Sequence, residues 1–230
     1  MEELLQNTYP DVVIACAGTG SRMREVNEGL HKTLLPVNGK PILGYIISNI
    51  PEEHRLVILL GHKSAQVRTF VEMCFPNRSK LFVDVNDYES ENSGTAISLL
   101  QAQNYLSTSF WYIPCDGIYL EKLNTLLSQQ REESSYFCVE LQSVSSPSNY
   151  CIFKNKDSRI FDVFIKPRDL QCDYIDDLFV FTGLMFIANS SLYFSSLLEE
   201  KCLDFVEVDL ISSKIEVIDG WQDLGDPTLY

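Results

Sequence analysis

Pro10-Asp11-Val12-Val13-Ile14-Ala15-Cys16-Ala17-Gly18-Thr19-Gly20-Ser21-Arg22-Met23 opens with an apolar run, Val12 to Ala17, that is too short for a helix, rich in β-branched residues and stopped by Gly18. With no polar alternation, such a run predicts a strand buried on both faces. Working outward, Arg55 to Leu60 repeats the pattern. After Gly61, Val67, Phe70, Val71 and Cys74 recur at i, i+3, i+4 and i+7, one face of a helix. Leu81, Val83 and Val85 alternate as a third strand, Gly94 to Gln103 has helical periodicity, Phe110 to Ile113 is a fourth strand, and Tyr119 to Gln130 a further helix. A βαβα series predicts an α/β fold with a mainly parallel sheet and helices on both faces.

Beyond about Ser134 the rhythm shortens. Tyr136 to Leu141, Tyr150 to Phe153 and Arg159 to Ile165 read as strands, the last two joined across an Asn-Lys-Asp-Ser turn. Phe179 to Ile187 is an apolar run of core character. Ser190 to Glu200 and Phe205 to Ser213 are expected helices, and Lys214 to Ile218 an edge strand. This part is expected to be small and antiparallel or mixed. With no repeat and no linker-like segment, residues 1–230 are read as one domain, with a first half over about 11–133 and a second over about 134–230.

Eighteen Lys and Arg against thirty-two Asp and Glu leave a formal charge of -14, which repels phosphate backbones and anionic membranes. Neither nucleic acid nor a membrane is an expected partner. A small anionic substrate requires that a few cations converge on one pocket or that a metal ion offsets the acids. The seven cysteines form no CxxC pair, the first residues are acidic where a signal peptide is basic, and no apolar run reaches a membrane span. A reducing cytoplasm is the expected location.

Gly18-Thr19-Gly20-Ser21-Arg22 directly follows the first strand, and Lys32-Thr33-Leu34-Leu35-Pro36-Val37-Asn38-Gly39-Lys40-Pro41 comes soon after. Glycines let backbone N–H groups approach phosphates, and Arg22 and Lys32 can neutralise them. Against the dinucleotide fingerprint a third glycine is missing; against the Walker loop, no Gly-Lys-Ser/Thr closes the motif.

The segment resembles the opening of the sugar-phosphate nucleotidyltransferase family, AAGxGTR followed by PKxLxPVxGKP. The likeness continues in order down the chain. Asn92-Ser93-Gly94-Thr95-Ala96 resembles GTAxAL, Ile113-Pro114-Cys115-Asp116 a strand ending in a metal-binding Asp, and Phe164-Ile165-Lys166-Pro167 the EKP motif. Thr182-Gly183-Leu184-Met185-Phe186 resembles a substrate-lining strand, and Trp221-Gln222-Asp223-Leu224-Gly225-Asp226-Pro227 the closing WxDxGxP with a second metal-binding Asp.

The resemblance implies a Rossmann-like, mainly parallel mixed sheet of the nucleotide-diphospho-sugar transferase (GT-A-like) kind, with a nucleotide-binding half and a small antiparallel acceptor-binding part. It implies Mg²⁺-dependent transfer of NMP from a nucleoside triphosphate to a phosphorylated small molecule, releasing pyrophosphate. It further implies roles for individual residues: Arg22 and Lys32 catalytic; Ala17, Gly18, Thr19, Gly20, Ser21, Asn92, Gly94 and Thr95 on the nucleotide; Lys166 and Gly183 on the acceptor; Asp116 and Asp223 on the metal. Lys40 is read as structural or exposed, and His31, His54 and His62 as core or surface residues.

Three departures stand out: Ile165 replaces the Glu of EKP, His31 the Pro before the lysine, and Cys115 the Gly before the metal Asp. A sugar 1-phosphate is the first expectation for the acceptor, feeding surface-glycan or capsule synthesis. The alternatives are a CTP-dependent cytidylyltransferase for phosphocholine or a phosphorylated amino compound, for which Tyr174, Asp176 and Asp177 are available to a cationic headgroup, and a catalytically silent sensing subunit of the same fold. A homodimer is left open, and the sequence names neither base nor acceptor.

Overall fold

In a computed structural model of the chain, the residues described are 9–20, 29–90, 94–119, 123–167, 177–200 and 213–225. The strand predicted from the opening run is β1 (Asp11–Cys16). It is followed by a 3₁₀ turn (Lys32–Leu34), a two-residue ladder of β2 (Pro36–Val37) with β3 (Lys40–Pro41), and helix α1 (Ile42–Ser48). Then come β4 (Leu56–Leu60), α2 (Ser64–Cys74), β5 (Lys80–Asp84), α3 (Thr95–Ala102), β6 (Phe110–Pro114), β7 (Gly117–Tyr119) and α4 (Leu123–Leu127). The second half holds β8 (Ser135–Glu140), β9 (Cys151–Lys156), β10 (Arg159–Ile165), β11 (Leu178–Ile187), α5 (Ser190–Glu200), β12 (Lys214–Val217) and β13 (Trp221–Asp223).

β5, β4, β1 and β6 lie side by side and all parallel. Alternation along β1 and β4 sends Val12, Ile14, Leu56 and Ile58 to one apolar layer and Val13, Val57 and Leu59 to the other. The first layer takes its helical side from α1, α2 and α4, the second from α3 and α5, so helices cover both faces as predicted. Near β1's start the carboxylate of Asp11, fully buried, accepts from Arg55 Nε (2.9 Å) and Nη2 (2.8 Å) and from the Ser107 amide (2.7 Å) and hydroxyl (2.8 Å). Four donors offset the cost of burying that charge.

The second half is antiparallel and mixed. β11 joins β6 antiparallel and pairs with both β8 and β9; β8 pairs with β12, β12 with β10, and β10 with β9. The last five large strands therefore close on themselves, and Tyr136, Phe153 and Phe181 from three of them pack together at centroid distances of 5.0–6.0 Å. Lys214 to Ile218 is thus not the edge strand expected. β12 is flanked by β8 and β10, because closure leaves no free position there.

The helix expected from Tyr119 to Gln130 is also shorter. Tyr119 ends β7, whose partner is β13, and among the described residues α4 runs over Leu123–Leu127. The expected helix Phe205 to Ser213 lies, but for Ser213, outside the described residues. Helix α1 has no counterpart among the sequence expectations: Ile42, Leu43, Gly44, Ile46 and Ile47 are all buried, so its seven residues carry no polar stripe to show a period.

Candidate active site

β1, β4 and β6 end at the same edge of the sheet, which is where open α/β sheets bind ligands. β1 passes into Ala17-Gly18 and β6 into Cys115-Asp116, while α3 begins beside them at Gly94 and Thr95. The Ala17 carbonyl accepts from the His62 amide (3.0 Å), and a Cβ on Gly61 would stand 2.5 Å from that carbonyl oxygen. Only glycine lets the end of β4 approach the loop this closely.

The 3₁₀ turn that carries Lys32 is held by His31. Its backbone, at φ -65°, is one that proline also adopts, which accommodates the departure from the motif. His31 adds what proline lacks: its amide donates to Gln66 Oε1 (2.7 Å), and its Nδ1 accepts from the Thr33 amide (3.2 Å). Burial, then the neighbouring Lys32 charge, lowers the imidazole pKa from 6.5 to about 4, so the cap is neutral near pH 7. His54 is likewise structural, bridging the Pro10 and Leu127 carbonyls. Lys40 reaches Ser48 and the Tyr45 ring, away from the site.

Two cavities of about 230 Å³ each meet here. Ala17, Gly18, Gly94 and Thr95, expected on the nucleotide, and Lys32, expected to be catalytic, line the first together with Tyr88, Ser98, Tyr112 and Cys115. Thr19 and Gly20 follow in the loop without lining it. Ser21, Arg22 and Asn92 lie outside the described residues. Thr95, Pro114 and Asp116 are shared with the second cavity, whose other walls include Asn149, Tyr150, Cys151, Lys166, Phe181, Gly183, Trp221 and Asp223. Both residues expected on the acceptor are therefore in one wall system. Gly183 has φ +86°, and a Cβ there would stand 2.7 Å from Pro114 Cγ, so the position demands glycine twice over. Lys166, also at positive φ, donates its amide to the Tyr150 carbonyl (3.2 Å). Of the residues suggested for a cationic headgroup, Tyr174 and Asp176 are outside the described residues, and Asp177 lines neither cavity; its carbonyl accepts from Asn155.

The β7–β13 ladder joins the two carboxylates. Asp223 pairs with Gly117, and the Leu224 amide donates to the Asp116 carbonyl (2.7 Å). Lys32 Nζ lies 2.7 Å from Asp116 Oδ2, both partly exposed at 17% and 21%. Asp223 Oδ2 accepts from the Tyr150 hydroxyl (2.7 Å), and Oδ1 accepts from the Gly225 amide (2.7 Å). Among the described residues no set of three or more His, Cys, Asp or Glu converges as a metal cluster. Two carboxylates facing one cavity nonetheless fit Mg²⁺, a hard ion that takes one or two protein carboxylates and completes its shell with phosphate and water.

Tyr88, Ser98, Tyr112 and Tyr150 were not foreseen. Tyr150 stands 73 residues from the carboxylate it touches, and no sequence spacing signals that contact. Beneath the first cavity, the interaction of Cys16 with Cys115, and then burial, holds the Cys16 thiol well above its ordinary pKa.

Residues 11–230 match the profile of the family described as nucleotidyl transferase. The chain belongs to that family. A bifunctional protein GlmU from Methanococcus aeolicus is 27% identical over 223 residues, covering 94% of this chain and 52% of that protein. The chain thus spans about half the length of the GlmU proteins it matches. A UTP–glucose-1-phosphate uridylyltransferase, AglF, from Haloferax volcanii is 24% identical over 225 residues, covering 94% of this chain and 91% of its own. The solved inositol-1-phosphate CTP transferase from T. maritima superposes with a TM-score of 0.71 at 16% identity, covering 97% of this chain and 92% of that one; the likeness establishes the shared fold.

Proposed function

We propose that this nucleotidyl transferase family member transfers a nucleotidyl group from a nucleoside triphosphate to the phosphate of a small acceptor, first of all a sugar 1-phosphate, releasing pyrophosphate. The observation that carries this reading is that Asp116 faces both cavities while Lys32 and Lys166 stand on either side of it. A triphosphate in the first cavity and a phosphorylated acceptor in the second would meet at that carboxylate. The identity of AglF as a sugar-1-phosphate uridylyltransferase, at near-equal length, supports the acceptor class.

In this reading the backbone of Ala17, Gly18 and Gly94 receives the nucleotide, with Thr19, Gly20, Ser21 and Asn92 assigned there on the motif alone. Lys166 orients the acceptor phosphate for in-line attack on the α-phosphorus. Lys32, and Arg22 by its place in the motif, neutralise charge on the pentacoordinate phosphorus and the departing pyrophosphate. No protein nucleophile is required, and Gly183 shapes the acceptor wall. Asp116 and Asp223 would hold Mg²⁺, which supplies Lewis-acid neutralisation of the phosphate oxygens. The activated product suits surface-glycan or capsule assembly, and the free thiols of Cys16, Cys74, Cys115 and Cys138 suit a reducing cytoplasm.

A second reading, cytidylyl transfer to a non-sugar phosphate, is favoured by Ile165. It stands beside Lys166, 41% exposed, and an isoleucine offers ring hydroxyls no acceptor. Pyrophosphate release with Mg²⁺, across four ribonucleotides and dTTP against sugar 1-phosphates, inositol 1-phosphate, phosphocholine and phosphorylated amino compounds, separates the two. Release with one sugar 1-phosphate is the expected result. Release with phosphocholine or an amino compound alone selects the second reading, and nucleotide binding without release across the panel selects the silent subunit.

A further inference from the structure

Two cysteines lie at the ends of neighbouring strands directly under the first cavity. β1 and β6 run parallel in a register that sets Ile14 beside Ile113 and Ala15 beside Pro114. The next residue of each segment is a cysteine: Cys16 ends β1 and Cys115 directly follows β6, on neighbouring strands about 4.8 Å apart. That spacing falls within the Cα separation of about 4.4–6.8 Å that a disulfide bridges. Both side chains belong to the same apolar layer on one face of the sheet, and both are free thiols. Cys16 is fully buried, and Cys115, buried at 2% exposure, lines the first cavity, which is the path by which a small reagent would approach the pair. The motif that the segment resembles has alanine and glycine at these two places. This chain carries a thiol at both.

We propose that Cys16 and Cys115 form a modification site, a paired dithiol that hydrogen peroxide converts to an internal disulfide. The Cys115 sulfur attacks one peroxide oxygen, the O–O bond breaks, and one water leaves a sulfenic acid on Cys115. The Cys16 sulfur then attacks the Cys115 sulfur, forming the S–S bond and releasing the sulfenic oxygen as a second water. Two thiols are oxidised, two electrons reduce one peroxide, and the thiol protons end in water; an added dithiol reverses the step by exchange. Closure to a bond length of about 2 Å turns both side chains towards each other and fixes Cys115 in one orientation. Cys115 directly precedes Asp116, which pairs with Lys32, so a change in its orientation is passed to the centre of the site. Displacements of about 1 Å at such positions cost on the order of 10²-fold in rate. The existence of the disulfide is independent of the proposed reaction; its effect on turnover rests on it.

The experiment treats the reduced full chain with hydrogen peroxide, counts thiols, and maps cross-links in a non-reducing digest by mass spectrometry, with pyrophosphate release followed in parallel. The expected result is a Cys16–Cys115 cross-link, a loss of two of the seven thiols, and a fall in turnover of at least tenfold that dithiothreitol restores. Cys16→Ala, or Cys16→Ser should the first fold poorly, is expected to form no cross-link and to keep its turnover, whereas Cys74→Ser should respond as the parent does. A full thiol count after treatment, or Cys115 oxidised to the sulfinic acid without a link to Cys16, overturns the site. A cross-link that leaves turnover unchanged overturns its coupling to the active centre. If the chain releases no pyrophosphate in any state, the reaction reading fails while the cross-link map still decides the modification.

Discussion

The two halves of the molecule build their walls by different means. The parallel half presents strand ends and a helix start, and its cavity has small residues at Ala15, Ala17, Gly18, Gly94 and Ser98 beside Lys32, Tyr88 and Tyr112. The second cavity is lined by larger residues, Tyr150, Cys151, Lys166 and Phe181 from the antiparallel half and Trp221 from β13. In the proposed reaction, small residues let backbone approach the triphosphate that all nucleotides share, whereas larger side chains can be altered one at a time to change the acceptor. Asp116, Thr95 and Pro114 belong to both, so substitutions there should not respect the division.

The largest effect is expected at that junction. Asp116→Ala should lower turnover by about 10²–10³-fold, as loss of one preorganised electrostatic group does; steady-state pyrophosphate release measures it, and a loss below tenfold removes Asp116 from the chemistry. Gly183→Ala comes next. Its Cβ meets Pro114 in a backbone conformation unfavourable to alanine, and because Pro114 lines both cavities, turnover should fall by about 10–10²-fold with the apparent affinities for both substrates weakened. Lys166→Ala sharpens the comparison. The acceptor KM should rise about tenfold while nucleotide affinity, measured by calorimetry, stays within twofold; an equal loss in both would merge the two cavities into one site.

The smallest effect concerns the turn that carries Lys32. The His31 pKa is lowered to about 4 in the folded chain from an ordinary 6.5, so the unfolded chain binds a proton that the folded chain rejects between those values. This group's contribution to stability is full above about pH 6.5 and is lost progressively as pH falls towards 4. Thermal melts over that window should show a decline that His31→Gln lessens, and an unchanged decline would release His31 from this role.

The strands of both halves were legible because their apolar runs are bounded by turn residues. The hairpin turn read from Asn155-Lys156-Asp157-Ser158 is realised with Asp157 and Ser158 both at positive φ, between β9 and β10. Short elements were not legible: α1 is buried nearly all round, and β7 and β13 are three residues each and pair across about a hundred residues of chain. The position of β12 could not be read either, since closure of the second half depends on β11 serving two partners along its length.

At the site, Lys32, Asp116, Lys166, Gly183 and Asp223 emerged from the motif series and come together around the two cavities. Tyr150 did not, because its bond to Asp223 is made by the crossing of β9's start with β13. Nor did Tyr88, Ser98 and Tyr112, whose positions follow from packing rather than from spacing.

The central claim is that the bond broken lies between the α- and β-phosphorus of the triphosphate. The direct test supplies triphosphate labelled at either the α- or the γ-phosphorus together with the acceptor identified by pyrophosphate release. The account predicts that α-label enters the acceptor product and γ-label leaves entirely as pyrophosphate. Transfer of γ-label to the acceptor would make the chain a phosphoryl transferase and contradict the account.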